Sequence, residues 1–271
     1  MKTQILRLLK LIGVVITSTK NLTQLKENQA ELITLKDKID FADKLAQTTF
    51  SPEATANLLA ELSNSTAQLH QDLIALLFHE FKQGGYFVEF GATDGKRFSN
   101  THLLENSYSW NGILAEPGKK WHKSLRANRG CIIETKCVWS ESGKTLEFNE
   151  TEIGELSTLE MFSAGDIHFE QRLSGNRYEV ETISLEDLLD TNSAPKFIDY
   201  LSIDTEGSEF QILSTFNFTK YTFGLITCEH NYTPSREDVN KLLSQHGYVQ
   251  VLEEFSLFDD WYVHNSLIKA E

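Results

Sequence analysis

The chain has 271 residues, 40% of them apolar, so it can bury a full hydrophobic core in one domain of catalytic size with an appendage. Its net charge of −14, without a basic stripe on the main domain, argues against binding to DNA or RNA. Cys131, Cys137 and Cys228 lie in apolar runs without C-x-x-C spacing, which argues against a zinc site or a disulfide framework and favours a reducing, cytoplasmic compartment.

The first 26 residues form a basic segment around a broken apolar run. Lys10 interrupts this run, which is too short to span a bilayer, and no clear small-residue cleavage site follows Ile16. Two interpretations stay open: a helix that lies on an anionic membrane surface or docks on a partner, and an ordinary helix packed on its own domain. The patterns that follow predict a helical extension over residues 1–50, which could pair two copies of the chain, and a helical lead-in over 51–83.

Strands and helices alternate from residue 84 to the end of the chain. This order predicts one α/β domain over residues 84–271, with a mostly parallel sheet covered on both faces. Strands are predicted over 86–90, 110–116, 131–139, 197–204, 223–231, 248–253 and 261–264, the last two forming an antiparallel hairpin. Helices are predicted over 98–108, 118–128, 183–189 and 235–246, and another is predicted to begin at residue 205.

The segment from about residue 141 to 182 is predicted to be irregular, with aromatic residues among glycines and serines. Such a segment inside an α/β domain is either a lid or binding loop, or a β-hairpin insertion that fills core space. Both interpretations stay open. Ser184 is predicted to cap the helix that follows.

A buried strand at Tyr86 ends in a glycine turn that reaches Gly95. Gly91 and Gly95 let the backbone turn sharply and approach a ligand without a Cβ in the way. Glu89 and Asp94 place carboxylates beside this turn. These acids would repel a pyrophosphate but suit a ligand that carries an amine and ribose hydroxyls, so the turn is predicted to bind a cofactor.

Glu116 ends the next predicted strand, about twenty residues beyond the glycine turn. Carboxylates that bind ribose hydroxyls occupy this position in nucleoside-binding α/β folds. In the alternative interpretation, Glu116 and Pro117 only begin the following helix.

Two later strands also end in polar residues. Asp204 ends one, and Glu229 and His230 end the next. Because ligands bind outside the carboxyl ends of parallel strands, these residues and the glycine turn are expected at one edge of the sheet. No lysine of a phosphate-binding loop and no G-x-S-x-G motif is present, so nucleotide hydrolysis and serine esterase chemistry are poor fits.

Three motifs in this order and spacing carry a family resemblance. The motifs V-E-F-G-A-T-D-G at 88–95, L-A-E-P at 114–117 and I-D-T-E-G-S-E at 203–209 resemble the signatures of FkbM-type S-adenosylmethionine-dependent methyltransferases. The resemblance covers roughly residues 84–265. It implies a class I methyltransferase (Rossmann-like) fold, with seven strands of which the last is antiparallel, and methyl transfer to a hydroxyl, largely on sugars and secondary-metabolite scaffolds.

The resemblance also implies a cofactor site. Gly91 and its neighbours would hold the methionine part of S-adenosylmethionine, and Glu116 would hold its ribose hydroxyls. Cys137 and Val138 would border the adenine, although the family often has an alanine in place of Cys137. The predicted cofactor-binding set is Glu89, Gly91, Asp94, Gly95, Ser99, Asn100, Glu116, Pro117, Cys137, Val138 and Asp204.

Methyl transfer to a hydroxyl also requires removal of a proton, by a carboxylate or histidine, or with help from a metal. His230 is the predicted general base, with Asp204 and Glu229 on adjacent strand ends, and a lone histidine here is otherwise a structural hydrogen-bonding residue. The same three groups are acceptable ligands for a divalent cation. His102 is the reserve base, and Glu206 is expected to cap a helix or orient a neighbour.

The sequence therefore predicts an S-adenosylmethionine-dependent O-methyltransferase that acts on a saccharide, in a glycan or lipid-linked intermediate, with the basic amino terminus near a membrane. Two alternatives stay open. One is a methyltransferase of a secondary metabolite, another small molecule or a protein. The other is a non-catalytic adaptor that retains the fold and recruits partners through residues 1–82.

Overall fold

The computed structural model describes residues 23–24, 35–164 and 168–268. The chain divides into two compact units, Met1–Thr55 and Ala56–Glu271. In the first unit, residues 35–45 are helical (α1). The predicted basic helix at the amino terminus lies almost wholly outside the described residues, and the predicted boundaries at residues 50 and 83 stay predictions.

The second unit contains a seven-stranded sheet. Its strands are β1 (Tyr86–Phe90), β2 (Asn111–Ala115), β3 (Ile132–Glu134), β8 (Phe197–Ile203), β9 (Thr222–Glu229), β10 (Tyr248–Val251) and β11 (Asp259–His264). Their order is β10-β11-β9-β8-β1-β2-β3. Strand β11 runs antiparallel to both of its neighbours, and the remaining pairs are parallel. The predicted α/β fold with a mostly parallel sheet is confirmed.

Helices connect these strands and cover the sheet. Because both faces are covered, the central strands are apolar and buried along nearly their whole length. Leu201 and Ile226 share one core cluster with Leu188 and Leu243, which come from two of the helices. The helices are α2 (Pro52–Glu61), α3 (Gln71–Phe78), α4 (His102–Tyr108), α5 (His122–Asn128), α6 (Phe169–Arg172), α7 (Leu185–Thr191), α8 (Glu209–Ser214), α9 (Ser235–Gln245) and α10 (Glu253–Ser256).

The segment predicted to be irregular builds a second, smaller sheet. It is formed by β4 (Cys137–Trp139), β5 (Thr145–Glu150), β6 (Thr158–Leu159) and β7 (Asn176–Ser184), in the order β4-β7-β5-β6. Phe148, Leu159 and Val180 pack into a separate apolar cluster with Cys137. A β insertion with its own core is therefore present where sequence reasoning left the choice between a loop and a hairpin.

Two predicted element boundaries are wrong for local reasons. The strand predicted over 131–139 is broken because the Glu134 carboxylate accepts hydrogen bonds from the Thr135 and Lys136 backbone N–H groups, at 2.8 and 2.9 Å. The remainder of the predicted strand, Cys137–Trp139, forms β4 of the second sheet. The helix predicted from Phe98 begins at His102, since Phe98 has a left-handed φ of 60°.

The predicted helix cap at Ser184 is confirmed. Ser184 caps α7, and its side chain accepts a hydrogen bond from the Asp187 backbone N–H. In the part of the chain that the structure describes, no helix has the length and apolarity needed to cross a membrane.

Candidate functional site

A cleft opens at the carboxyl ends of β1, β2 and β8. Its empty space, counted out to the open mouth, is about 890 Å³. This first cleft is bordered by seven of the predicted cofactor-binding residues: Gly91, Asn100, Glu116, Pro117, Cys137, Val138 and Asp204. Glu89, Asp94, Gly95 and Ser99 are not among its lining residues.

The glycine turn brings β1 close to β8. Gly91 has a φ of +74°, and a Cβ at this position would lie 2.0 Å from the Asp204 carbonyl oxygen. Gly95 has a φ of +76°, and a Cβ there would lie 2.5 Å from Leu125. Both positions therefore need glycine, for conformation and for space. The backbone of Gly91 is left open to the cleft.

Asp94 shapes the same turn from outside the cleft. Its Oδ1 accepts hydrogen bonds from the backbone N–H groups of Lys96 and Arg97, both at 2.8 Å. An aspartate that closes a turn in this way fixes the backbone locally. The cofactor contact predicted for Asp94 stays a prediction, and the structure gives this side chain a role within the loop.

Glu116 joins the turn to the second strand. One carboxylate oxygen accepts a hydrogen bond from the Thr93 N–H at 2.8 Å, and the other from the Gly118 N–H at 2.6 Å. The residue is buried, and burial raises the pKa of its carboxyl to about 7. Each carboxylate oxygen has a second lone pair, so Glu116 can still accept hydrogen bonds from two ribose hydroxyls.

Glu89 lies beneath the cleft in a buried polar cluster. It accepts hydrogen bonds from the Asn100 N–H and from the hydroxyls of Ser99 and Thr101. Arg129 joins the same cluster: it donates to Ser99, to Thr101 and to the Gly95 carbonyl, and it pairs with Glu105. Sequence reasoning missed Arg129, because a basic residue after a short helix gives no signal of its buried partners.

Asn100 offers an unused acceptor at the cleft. Its Nδ2 donates to the Ser202 hydroxyl at 2.8 Å, and this bond fixes the orientation of the amide. Its Oδ1 is buried and has no hydrogen-bond partner among the described residues. A buried acceptor of this kind fits a donor on a ligand, such as the ammonium group of the methionine part of S-adenosylmethionine.

The far wall of the first cleft is apolar and comes partly from the second sheet. Cys137, Val138, Phe148 and Leu159 line it. Burial raises the pKa of the Cys137 thiol to about 12, so this side chain stays neutral and apolar. Such a wall can pack against a flat aromatic base, which is the role the sequence predicted for Cys137 and Val138.

The features of the first cleft suit S-adenosylmethionine. Gly91 borders the first cleft with its backbone. Asn100 leaves a buried acceptor unpaired among the described residues, Glu116 can accept from ribose hydroxyls, and an apolar wall lies beyond. When bound, the cofactor would supply an electrophilic methyl group.

Three carboxylates meet at the other end of the site. Oxygens of Asp204, Glu206 and Glu229 lie within 4.8 Å of one another, and we call these residues the acid group. Burial and the Asp204 charge raise the pKa of the Glu229 carboxyl above its usual range. Burial and the charges of Asp259 and Glu209 raise the pKa of Asp204 in the same direction.

Glu206 enters the acid group through an unusual backbone. It has a left-handed φ of 59° and precedes Gly207, so α8 begins only at Glu209. Its carboxylate accepts hydrogen bonds from Arg172 at 2.7 Å and Asn231 at 3.2 Å, which fits the second of the two predicted roles, orienting a neighbour, and not the cap of α8. The N–H groups of Thr205 and Gly207 donate to Glu209 instead.

The structure separates His230 from the acid group. His230 follows the last residue of β9 and borders neither the first cleft nor the wider cleft described below. Its Nδ1 accepts a hydrogen bond from the Tyr232 N–H at 2.9 Å, and its Nε2 lies 3.7 Å from Asp260. Glu206 thus takes the place that the sequence gave to His230 beside Asp204 and Glu229, and the catalytic role of His230 stays a prediction.

His102, the reserve base, lies at the start of α4. Burial and the nearby charge of Arg129 lower the pKa of its imidazole. It borders neither the first cleft nor the wider cleft described next.

A second, wider cleft adjoins the first. It is bordered by the acid group and by the aromatic side chains of Phe98, Trp121, Tyr232 and Phe258. Asp204, Phe98 and Phe258 border both clefts, so the two are continuous. Several residues around them have left-handed φ angles: Thr93, Phe98, Glu206, Asn231 and Tyr232. Such conformations are costly for residues other than glycine and concentrate at functional sites.

The second sheet holds this region in place. Arg172, just before β7, bonds Glu206 as well as the Leu156 carbonyl. The Thr158 hydroxyl donates to the Glu206 carbonyl at 2.9 Å. The insertion therefore positions the acid group in addition to walling the first cleft.

The chain matches one family of known proteins. A family model described as the methyltransferase FkbM domain matches residues 89–250. No curated protein matches the chain. A precorrin-6y C5,15-methyltransferase from Geobacter metallireducens GS-15 is similar in structure, with a TM-score of 0.39 at 10% identity, covering 71% of this chain and 85% of that one.

Two structures of MtNAS are also similar. A mutant form has a TM-score of 0.38 at 11% identity, and the complex with MTA and tNA has a TM-score of 0.35 at 12% identity. Each covers 84% of this chain and 69% of the MtNAS chain. These scores are low, so the assignment rests on the family match. That match spans more than half of the 271 residues, and the chain belongs to the FkbM methyltransferase family.

Proposed function

We propose that this methyltransferase transfers a methyl group from S-adenosylmethionine to a hydroxyl of a saccharide, in a glycan or another glycoconjugate. One observation carries the proposal: Asp204 borders both clefts. If the first cleft holds the cofactor, an acceptor in the second cleft meets the reactive methyl beside this carboxylate. The cofactor and the acceptor then enter from different sides.

The composition of the second cleft favours a sugar. Phe98 and Tyr232 expose 43% and 68% of their surface there, although both are large aromatic residues. Aromatic faces pack against the C–H faces of a sugar ring, while carboxylates accept hydrogen bonds from its hydroxyls. Flat faces beside several acids provide both kinds of contact.

The acid group can meet the chemical demand of the reaction. Methyl transfer from a sulfonium is an in-line displacement, so the protein must align the two reactants and exclude water. The hydroxyl proton must also leave. Asp204 lies at the junction of the two clefts, and its carboxylate is the group placed to accept this proton.

The cellular setting is part of the proposal. All three cysteines are free thiols, as suits a reducing, cytoplasmic compartment. The basic amino-terminal segment would then hold the enzyme at a membrane surface or pair two copies of the chain.

Purified enzyme tests the proposal. We expect formation of S-adenosylhomocysteine with saccharide acceptors, and a mass increase of one methyl group on the sugar. Mass spectrometry of glycans from cells with and without the gene should identify the missing methyl. Turnover of non-sugar hydroxyl compounds without turnover of any saccharide would contradict the saccharide assignment and leave the methyltransferase activity intact.

A matched pair of variants tests the second cleft. Tyr232→Ala removes an aromatic face that borders the second cleft but not the first, and it should raise the acceptor KM about tenfold while the affinity for S-adenosylmethionine changes little. Phe197→Ala is the control, because Phe197 is 39% exposed but lies at the amino end of β8, at the opposite edge of the sheet. Equal effects of the two substitutions on KM would contradict the placement of the acceptor.

A further inference from the structure

The acid group combines three features that ordinary surface acids lack. Its side chains come from the end of β8, the turn before α8 and the end of β9, so three separate segments converge on one point. Glu206 and Glu229 are buried, and Asp204 is half-buried. Oxygens of all three lie within 4.8 Å of one another.

Glu229 is bonded only within the acid group. It is 8% exposed, its carboxyl shares a hydrogen bond with Asp204, and no donor from outside the acid group bonds its side chain among the described residues. Among those residues, Arg172 is the cation bonded to the acid group, and it binds Glu206. Glu229, which faces the carboxylates of Asp204 and Glu206, therefore has no cation of the described residues bonded to it.

We propose that Asp204, Glu206 and Glu229 bind one divalent cation that prefers oxygen ligands, such as Ca²⁺, Mn²⁺ or Mg²⁺. Carboxylates with water suit these ions. Two oxygens bound to one Ca²⁺ at about 2.3–2.6 Å lie at most about 5.2 Å apart, so a separation within 4.8 Å is already in range. The smaller Mg²⁺ binds oxygens at about 2.0–2.1 Å, so it requires separations of at most about 4.2 Å.

The position of this site links it to the proposed function. The acid group borders the second cleft, and Asp204 borders both clefts. A cation there would lie beside the acceptor, where its free coordination positions could take sugar hydroxyls. This role rests on the proposed function, whereas binding of the cation itself does not.

Binding of the metal alone tests the site. We would titrate the full chain, stripped with a chelator, with Mn²⁺ and follow free Mn²⁺ by electron paramagnetic resonance, then displace it with Ca²⁺ and Mg²⁺. The wild type should bind one Mn²⁺ per chain. Glu229→Gln should weaken this binding at least tenfold, because it removes the charged oxygen of a buried ligand that is bonded only within the acid group.

Two further variants make the result specific. Asp204→Asn keeps the side-chain shape and should weaken Mn²⁺ binding to a similar extent. Glu155→Gln is the matched control: Glu155 borders both clefts, but its carboxylate pairs with Arg97 at 2.7 Å, so Mn²⁺ binding should not change. The melting temperature of each variant, recorded by circular dichroism, establishes that it is folded.

The possible outcomes separate the two proposals. Absence of saturable Mn²⁺ binding, or equal affinity in wild type and Glu229→Gln, would overturn the cation site and favour a proton shared between Asp204 and Glu229. Binding of S-adenosylmethionine to chelator-treated protein, measured by calorimetry, reports on the first cleft alone. If chelator-treated protein does not bind S-adenosylmethionine, the proposed function is contradicted, but the result for the cation site is unaffected.

Discussion

The two ends of the site use the same residue type for opposite purposes. Around the glycine turn, Glu89, Asp94 and Glu116 each accept hydrogen bonds from at least two N–H or O–H donors of the protein. At the acid group, Asp204 and Glu229 bond each other, and among the described residues no donor from outside the acid group bonds their side chains. The first set therefore stabilises loops of the protein, and the second leaves carboxylate oxygens available to a ligand.

Burial explains why the difference matters. A buried carboxylate that is fully hydrogen bonded stabilises the loops that bond to it, whereas one without donors costs free energy in the folded protein. A protein retains such a cost where function requires it. The comparison predicts that substitutions at the glycine-turn end act mainly on stability, and those at the acid group mainly on ligand binding.

The largest expected effect is at Arg129. Its buried side chain pairs with Glu105 and lies 3.6 Å from Glu89. Arg129→Met should lower the free energy of unfolding by about 3–5 kcal/mol, because it leaves buried carboxylates without their cation. Urea denaturation measures this change.

The control for Arg129 is a surface pair. Arg177 and Glu160 lie 3.1 Å apart, and each side chain is 34% exposed. Arg177→Met should cost about 0–1 kcal/mol. Similar costs for the two arginines would show that the cluster beneath the glycine turn does not stabilise the fold, and the comparison would fail.

Gly91→Ala is expected to have the next largest effect on the free energy of unfolding. The added methyl group would collide with the Asp204 carbonyl oxygen and would also have to adopt a φ of +74°. We expect a loss of about 2–4 kcal/mol of unfolding free energy. Methyl transfer should fall with it, since the same backbone lines the first cleft.

Gly84→Ala separates the two causes. Gly84 has nearly the same φ, +73°, but a Cβ there meets nothing within 4 Å. Its substitution should cost only the conformational strain, about 1 kcal/mol. If both alanines cost the same, the close approach of β1 to β8 is not what requires glycine at position 91.

Much of the fold could be predicted from the sequence, because apolar runs ending in glycine or acid mark the parallel strands. From the sequence alone, residues 141–182 stay undecided between a loop and a β-hairpin insertion, although β5 alternates polar and apolar residues around Leu146 and Phe148, and β7 does so around Tyr178 and Val180. Period-two alternation is a strand signal. Glycines and serines between these runs are typical of loops, so the alternation was not recognised as a strand signal.

The site was predicted less well than the fold. That Glu116 and Asp204 lie at one sheet edge follows from parallel strands ending together. The same rule does not predict which acids face one another, because this depends on the backbone angles of single residues. Glu206 reaches the acid group through a left-handed φ, and His230 is not part of it although it is the next residue after Glu229.

A pH effect of intermediate size should come from Glu116. Its pKa is raised from 4.5 to about 7 by burial, so the folded protein binds a proton that the unfolded chain has released. Stability from this group is fully present below pH 4.5 and is lost as the pH rises through 7. Between about pH 5 and 8, the wild type should lose roughly 2–3 kcal/mol more unfolding free energy than Glu116→Gln. Parallel pH profiles of the two proteins would contradict this.

The smallest expected effect, at Asp94, gives the sharpest test of the comparison. Asp94→Ala removes one acceptor from two solvent-exposed N–H groups, which water can replace, so we expect a loss of about 0.5–1.5 kcal/mol in unfolding free energy. The affinity for S-adenosylmethionine, measured by calorimetry, should fall by less than about fivefold, because only the order of the turn is affected. A larger loss of affinity with unchanged stability would show that Asp94 contacts the cofactor directly. Asp94 would then resemble Asp204 and Glu229, whose carboxylate oxygens are available to a ligand.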